Sequence, residues 1–175
     1  MNLAEFVQRY HEGDFEWVRG EEVELQDLPL ALEKILERLT ASLRDYTKAT
    51  GGEVFVHTPF VLLNAAEEVQ DARTPNAMIY LSERTQSDHS GVLLSVPNLV
   101  IEIIYQAEEI PEMYRKTLAY LKMGVEQVWL IDPDMSTLSI YRQDTKEITV
   151  LGTRHKLMNN PLFPGLEVDI VNLFG

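Results

Sequence analysis

Between Pro97 and Pro133 the chain reads PNLVIEIIYQAEEIPEMYRKTLAYLKMGVEQVWLIDP. Two apolar runs hardly alternate, LSVPNLVIEII (94–104) and EQVWLID (126–132). Strands that are apolar at successive positions are those buried on both faces. EEIPEMYRKTLAYLKMG (108–124) lies between them with a helical pattern, Pro111 near its start and Gly124 past its end. A buried strand, a helix and a second buried strand make a crossover unit, which implies parallel pairing. Met113, Leu118, Leu121 and Val125 are expected to face the sheet. Glu102 breaks the pattern, as a carboxylate inside an otherwise apolar strand. Burying it without a partner is costly, so Glu102 is the first place to look for chemistry.

The rest of the chain supplies edges and cover. Residues 1–12 suggest a short helix. FEWVRGEEVEL (15–25) reads as a hairpin turning at Arg19-Gly20. From Asp27 to Gly52, apolar residues Leu32, Ile35, Leu36, Leu39, Leu43 and Tyr46 recur at helical spacing, with Asp27 as N-cap, Pro29 in the first turn and Gly51-Gly52 as the stop. EVFVHTPFVLL (53–63) is strand-like, 64–76 a polar loop, AMIYL (77–81) a short strand, and SERTQSDHSG (82–91) a mobile loop. TLSIYR (137–142) and EITVLG (147–152) pair as a hairpin, and 161–174 closes the fold. The sum is one α/β domain over 1–175, a mixed sheet with antiparallel edges flanked by helices, with no internal repeat.

Composition narrows the function. With no cysteine, disulfides, thiolate metal sites and cysteine nucleophiles are excluded. The four histidines lie far apart, without the local pairing of a zinc site. There is no membrane-spanning run and no signal-peptide pattern at the N-terminus, so a cytoplasmic protein is expected. The net charge of −13 disfavours tight nonspecific binding to DNA, which needs a basic surface. The C-terminal hairpins offer an apolar patch on which a homodimer could form.

Lys116 stands on the crossover helix, which packs back on the strand of Glu102, and Tyr120 shares its face one turn later. A carboxylate and a lysine there could hold a magnesium ion and assist attack on a phosphate. The plainer reading, favoured by spacing alone, is an ion pair with no catalytic task. Asp132-Pro133 ends a strand, Trp17 and Trp129 belong to the core, and Arg73, Arg84 and His89 are expected to be solvated.

Several segments in order resemble the Uma-type restriction-endonuclease family of the PD-(D/E)xK nuclease superfamily. FEWVRGEEVEL is similar to its N-terminal hairpin, which carries a glutamate where Glu16 stands. RTPNAMIYL (73–81) is similar to its R-x-P-D strand and PNLVIEI (97–103) to its P-D-L-V-V-E-V strand. Lys116, Tyr120, Gly124-Val125 and VWLIDP (128–133) follow its K-x-x-x-Y-x-x-x-G-V…YWLVDP pattern, and FPGLEVDIVNLF (163–174) its closing segment. The resemblance implies a restriction-endonuclease-like α/β fold, a mixed sheet core flanked by helices. It also implies a magnesium- or manganese-dependent site hydrolysing DNA phosphodiesters, with Glu102 and Lys116 catalytic and Glu102, residue 76 and Glu16 as metal ligands. The chain departs from the pattern at Asn76 and Asn98, which stand where the family has aspartate, and in the loop YQAEE. A neutral amide ligates magnesium less well than a carboxylate, so the metal site is expected to be weakened or lost. Two readings stay open: a slowed endonuclease, or a catalytically silent binding or regulatory module on the same fold.

Overall fold

The computed structural model describes residues 1–84, 88–106 and 110–175, with only the backbone at 88 and 89. Helix α1 (Leu3–Glu12) opens the chain, closed at its start by a capping box between Asn2 and Glu5. The hairpin β1 (Phe15–Val18) and β2 (Glu21–Glu24) follows. Helix α2 (Leu30–Thr50) then leads into β3 (Gly52–Val56), β4 (Phe60–Leu63), β5 (Val69–Arg73) and β6 (Ala77–Leu81). The short β7 (Asp88–His89) and β8 (Val92–Leu93) precede β9 (Leu99–Ile103), α3 (Ile110–Met123) and β10 (Gln127–Asp132). Strands β11 (Thr137–Arg142), β12 (Ile148–Leu151), β13 (Lys156–Leu157) and β14 (Val168–Asp169) and the short α4 (Val171–Phe174) complete the chain. No helix among the described residues is long and apolar enough to cross a membrane.

The expected crossover is present. β9 and β10 pair in parallel, Glu102 opposite Leu130, with α3 as the connection. They are the central strands of a six-stranded mixed sheet ordered β12-β11-β10-β9-β6-β3. Alternate residues explain the unbroken apolar pattern. Leu99, Ile101 and Ile103 join Leu36, Leu39 and Leu43 of α2 in one buried cluster. Val100 turns the other way, into a cluster with Val128, Leu130 and Tyr120. Glu102, two residues on, points to that same side.

A second six-stranded sheet, β2-β1-β5-β4-β8-β7, was not expected from the sequence. It arises because 53–63 is two strands, not one. The chain breaks at His57–Pro59, so β3 pairs with β6 while β4 pairs with β5. Proline lacks the N–H a continuous ladder needs. The segment taken for a polar loop supplies β5, whose Val69 and Ala72 pack with Phe6, Phe15 and Val61 beneath α1.

Two further expectations are revised. α2 starts after Pro29 rather than at Asp27, with no side-chain cap; Leu28, preceding a proline, is kept out of the helical region. α3 packs on the sheet side through Leu121, with Val125 just past its end, as expected, but Thr117 and Tyr120 are buried with them and Leu118 is 48% exposed. The sheet surface beneath it carries a carboxylate, and the helix answers with polar groups. Its start at 108–109, like residues 85–87 of the loop 82–91, lies outside the described residues. Gly124, at φ 107°, ends the helix with Gly124 N–H donating to Leu121 O and Val125 N–H to Tyr120 O, the left-handed stop that glycine permits.

Truncating Leu39 on α2, which is fully buried, should cost about 2–5 kcal/mol in urea denaturation. Leu118→Ala should stay within about 0.5 kcal/mol of the parent. A large loss at Leu118 would contradict this placement of α3.

Candidate active site

Three elements converge on one ammonium group. Lys116 Nζ of α3 lies 2.9 Å from Glu102 Oε1 on β9 and 3.1 Å from Glu16 Oε1 on β1. Glu102 is 2% and Glu16 4% exposed. Glu16 reaches this point by strand alternation, as Phe15 and Trp17 on either side pack toward α1. Glu102 Oε1 also accepts a 2.7 Å hydrogen bond from the Tyr120 hydroxyl. Lys116 and Tyr120, four residues apart on one helix face, thus grip one carboxylate oxygen.

The link from β5 to β6 runs between the two carboxylates. Thr74 N–H donates to Glu16 Oε1 at 2.9 Å, and Asn76 N–H makes a longer contact of 3.4 Å with Glu102 Oε2. The Asn76 side-chain oxygen accepts from Ile103 N–H at 2.8 Å. Because Ile103 N–H can only donate, the carboxamide NH2 is the group left over, and it has no protein partner among the described residues. Arg73, 7% exposed, donates through Nε to Asp71 at 2.6 Å and stands 3.9 Å from Glu16. It is a buried part of the cluster rather than the solvated side chain expected. Asp71 and Arg73, two apart on a strand, share a face, which is the sequence signal that could have found it.

Burial by itself would lower the Lys116 ammonium, but Glu102 and then Glu16 outweigh it and hold its pKa above the ordinary lysine range. The Tyr120 hydroxyl is raised by burial, then by the charges of Glu102 and Glu16. Lys116 is therefore charged, and Tyr120 neutral, throughout the physiological range. Arg73 is likewise raised, Asp71 and Glu16 overcoming the opposing effect of burial.

The cluster forms the floor of a cavity of about 350 Å³ that Glu16, Arg73, Thr74, Asn76, Glu102 and Lys116 all line. Glu16, Asn76, Glu102 and Lys116, the four residues singled out in the sequence, therefore meet in one cleft. Asn98 does not join them. It is 1% exposed and works elsewhere, accepting from Leu81 N–H at 2.8 Å and donating to Glu126 at 2.6 Å and Glu83 at 3.2 Å. Arg84, also expected to be solvated, binds the nearby carbonyls of Val96, Pro97 and Gly124. The His89 side chain lies outside the described residues.

Among the described residues no three His, Cys, Asp or Glu side chains gather to enclose a metal ion. The donor set fits one hard cation rather than two. Glu102 Oε2 and Glu16 Oε2 have only the long contacts described above, whereas the Asn76 oxygen is committed to Ile103. Magnesium commonly takes one or two carboxylates and completes its shell with water and substrate phosphate.

A family model described as Uma2, "putative restriction endonuclease", matches residues 3–171. The chain belongs to this family. Membership marks it as nuclease-like. The chain is also similar to the crystal structure of a "putative nuclease belonging to DUF820" from Anabaena variabilis, with a TM-score of 0.80 and 22% identity, over 99% of this chain and 97% of that one. That likeness shows a shared nuclease fold. No curated protein sequence matches the chain.

Lys116→Met would leave Glu16 and Glu102 without their shared cation and should cost about 3–5 kcal/mol at neutral pH. Since the folded-state pKa of Lys116 is raised, its contribution is fully present below the ordinary lysine value of about 10.4 and is lost as pH climbs through the folded value. The difference in urea stability between parent and Lys116→Met should therefore not fall as pH rises across the neutral range, and should shrink only in strong alkali. A difference that falls as pH rises from about 6 to about 9 would show that Lys116 is not held charged as described.

Proposed function

We propose that this chain is a metal-dependent endonuclease acting on DNA phosphodiester bonds, with hydrolysis slowed by asparagine at position 76. The observation that carries this reading is the Lys116 cation, fixed 2.9 and 3.1 Å from two carboxylates at the floor of an open cavity. Glu16 and Glu102 are the residues that would hold a single magnesium or manganese ion, with Asn76 beside them as a weak or unused ligand. Such an ion, when bound, acts as a Lewis acid on a phosphate oxygen.

The chain's own groups divide the remaining work. Lys116 stays protonated across the physiological range and so does not take a proton from water. With two of its N–H groups on Glu16 and Glu102, its role is to donate the third to a phosphate oxygen as negative charge builds there. Tyr120 holds Glu102 in place through Oε1 and leaves Oε2 turned to Asn76. The Thr74 N–H holds Glu16 through Oε1, while Arg73 stands 3.9 Å from its Oε2. Two-metal catalysis is disfavoured, because the cavity floor has too few anionic oxygens for a second ion.

A catalytically silent module is the second reading. It is favoured by the Asn76 side chain, whose only acceptor atom is used internally by Ile103 N–H. The acidic net charge of −13 also weakens a general affinity for DNA.

Manganese titration by calorimetry together with cleavage of plasmid and oligonucleotide DNA separates the two. Asn76→Asp should tighten manganese binding at least about tenfold, or ~1.4 kcal/mol, and speed cleavage. Lys116→Ala should reduce cleavage by about 10²–10³-fold, as loss of a transition-state donor does. Cleavage by neither the parent nor Asn76→Asp would leave the silent module standing.

A further inference from the structure

The cavity above the ion cluster has a shape and a surface that bear on which nucleic acid it accepts. Its volume of about 350 Å³ lies near the lower end of small-molecule sites, roughly 300–1,000 Å³. Above the polar floor its apolar wall is made by Val18, Val23, Leu25 and Leu28 from the hairpin and the segment after it, Tyr105 after β9 and Met113 on α3, with Glu24, Gln26 and Glu112 among them. Tyr105 is 39% and Val23 44% exposed in a place where neither has a structural cluster to fill. Apolar walls with an accessible aromatic ring suit the flat face of a base. The floor supplies Lys116 and the free Asn76 NH2, donors suited to one phosphate.

The surroundings are hostile to a long polyanion. The cavity-lining hairpin strand β2 reads EEVE, all four residues exposed. Glu24 lines the cavity, while Glu22 is paired with Arg9 of α1. Among the described residues, the cations lining the cavity are Arg73 and Lys116, and both are already bound to carboxylates. Duplex affinity rests on neutralising many phosphates along a stiff rod, and this rim offers nothing of that kind. An unpaired strand needs less, because its bases can turn inward and stack while one phosphate reaches the floor.

We infer that the site accepts unpaired DNA, a single-stranded stretch or a frayed end, with one base in the apolar cavity and its phosphate at Lys116 and Asn76, in preference to closed duplex. This rests on the nuclease reading and adds the class of substrate. Tyr105 and Val23 are then specificity residues, and neither belongs to the ion cluster.

The test measures binding and cleavage, with manganese present, of a fluorescein-labelled oligothymidylate and of a fluorescein-labelled blunt duplex of matched length with G·C-clamped ends. The parent chain and Asn76→Asp should both bind the single strand at least about tenfold more tightly, and any cleavage should fall on unpaired nucleotides. Tyr105→Ala should weaken single-strand binding by about tenfold, the scale of one lost stacking contact, and Val23→Asp should do so by placing charge in the wall. Both positions are exposed, so the fold should survive, as urea denaturation would verify. Duplex bound or cleaved as well as the single strand, or single-strand binding unmoved by both variants, would overturn the inference while leaving the nuclease reading intact. Failure of parent and Asn76→Asp to bind or cleave either probe would overturn both.

Discussion

The contact of Lys116 with Glu16 and Glu102 ties together parts of the molecule that share little else. Glu16 belongs to the sheet under α1, Glu102 to the sheet between α2 and α3, and Lys116 to the crossover helix. The β5–β6 link passes from one sheet to the other between the two carboxylates and gives an N–H to each. Such a seam could equally be packed with aliphatic side chains, often with no loss of stability. The charged version carries a strong penalty if any member is removed. It also fixes where each carboxylate oxygen points, which apolar packing would not do. The cluster therefore contributes placement more than stability, and placement is what a phosphate-handling site requires.

The period of the strand decides which side becomes the site. On β9, Leu99, Ile101 and Ile103 serve the α2 cluster, so Glu102 must face α3. That in turn explains which groups α3 presents: Lys116, Thr117 and Tyr120 turn to the carboxylate, while Leu121 still packs on the apolar cluster beside it. Leu118 is left in solvent as a consequence. The same alternation on β1 buries Phe15 and Trp17 beside α1 and sends Glu16 the other way.

Much of this was readable beforehand, for a physical reason in each case. Glu102 was conspicuous because a lone carboxylate violates an apolar run, and Lys116 and Tyr120 because helix spacing puts them on one face. The parallel pair β9–β10 followed from two doubly buried strands around a helix. Glu16 was not visible by this route, since an acidic residue in a short hairpin strand is unremarkable; only the family resemblance pointed to it. The second sheet was hidden because β5 reads VQDAR, with polar residues that turn out to belong to the buried cluster and its border. Arg73 and Arg84 were misjudged together. A guanidinium is by default solvated, and Glu16 and the carbonyls of Val96, Pro97 and Gly124 come near these two only through the fold, although Asp71, two residues from Arg73, was a local signal. Asn98 shows the reverse: its position in the motif suggests chemistry, yet its amide is used to join Leu81, Glu83 and Glu126.

Asn76 is where structure alters the meaning of the sequence change. Aspartate and asparagine have nearly one shape, and either can accept the Ile103 N–H through one oxygen. They differ in what remains. Aspartate would leave an anionic oxygen beside Glu102, which with Glu16 makes three carboxylates around one lysine. Asparagine leaves two N–H donors instead, and the local charge falls by one unit. Among the described residues the cavity still carries four carboxylates, Glu16, Glu24, Glu102 and Glu112, against Arg73 and Lys116. One divalent ion would balance that excess; a second would reverse it. The substitution thus shifts the floor from an ion-enclosing arrangement toward one that recognises a phosphate through hydrogen bonds, with metal binding dependent on oxygens the substrate brings.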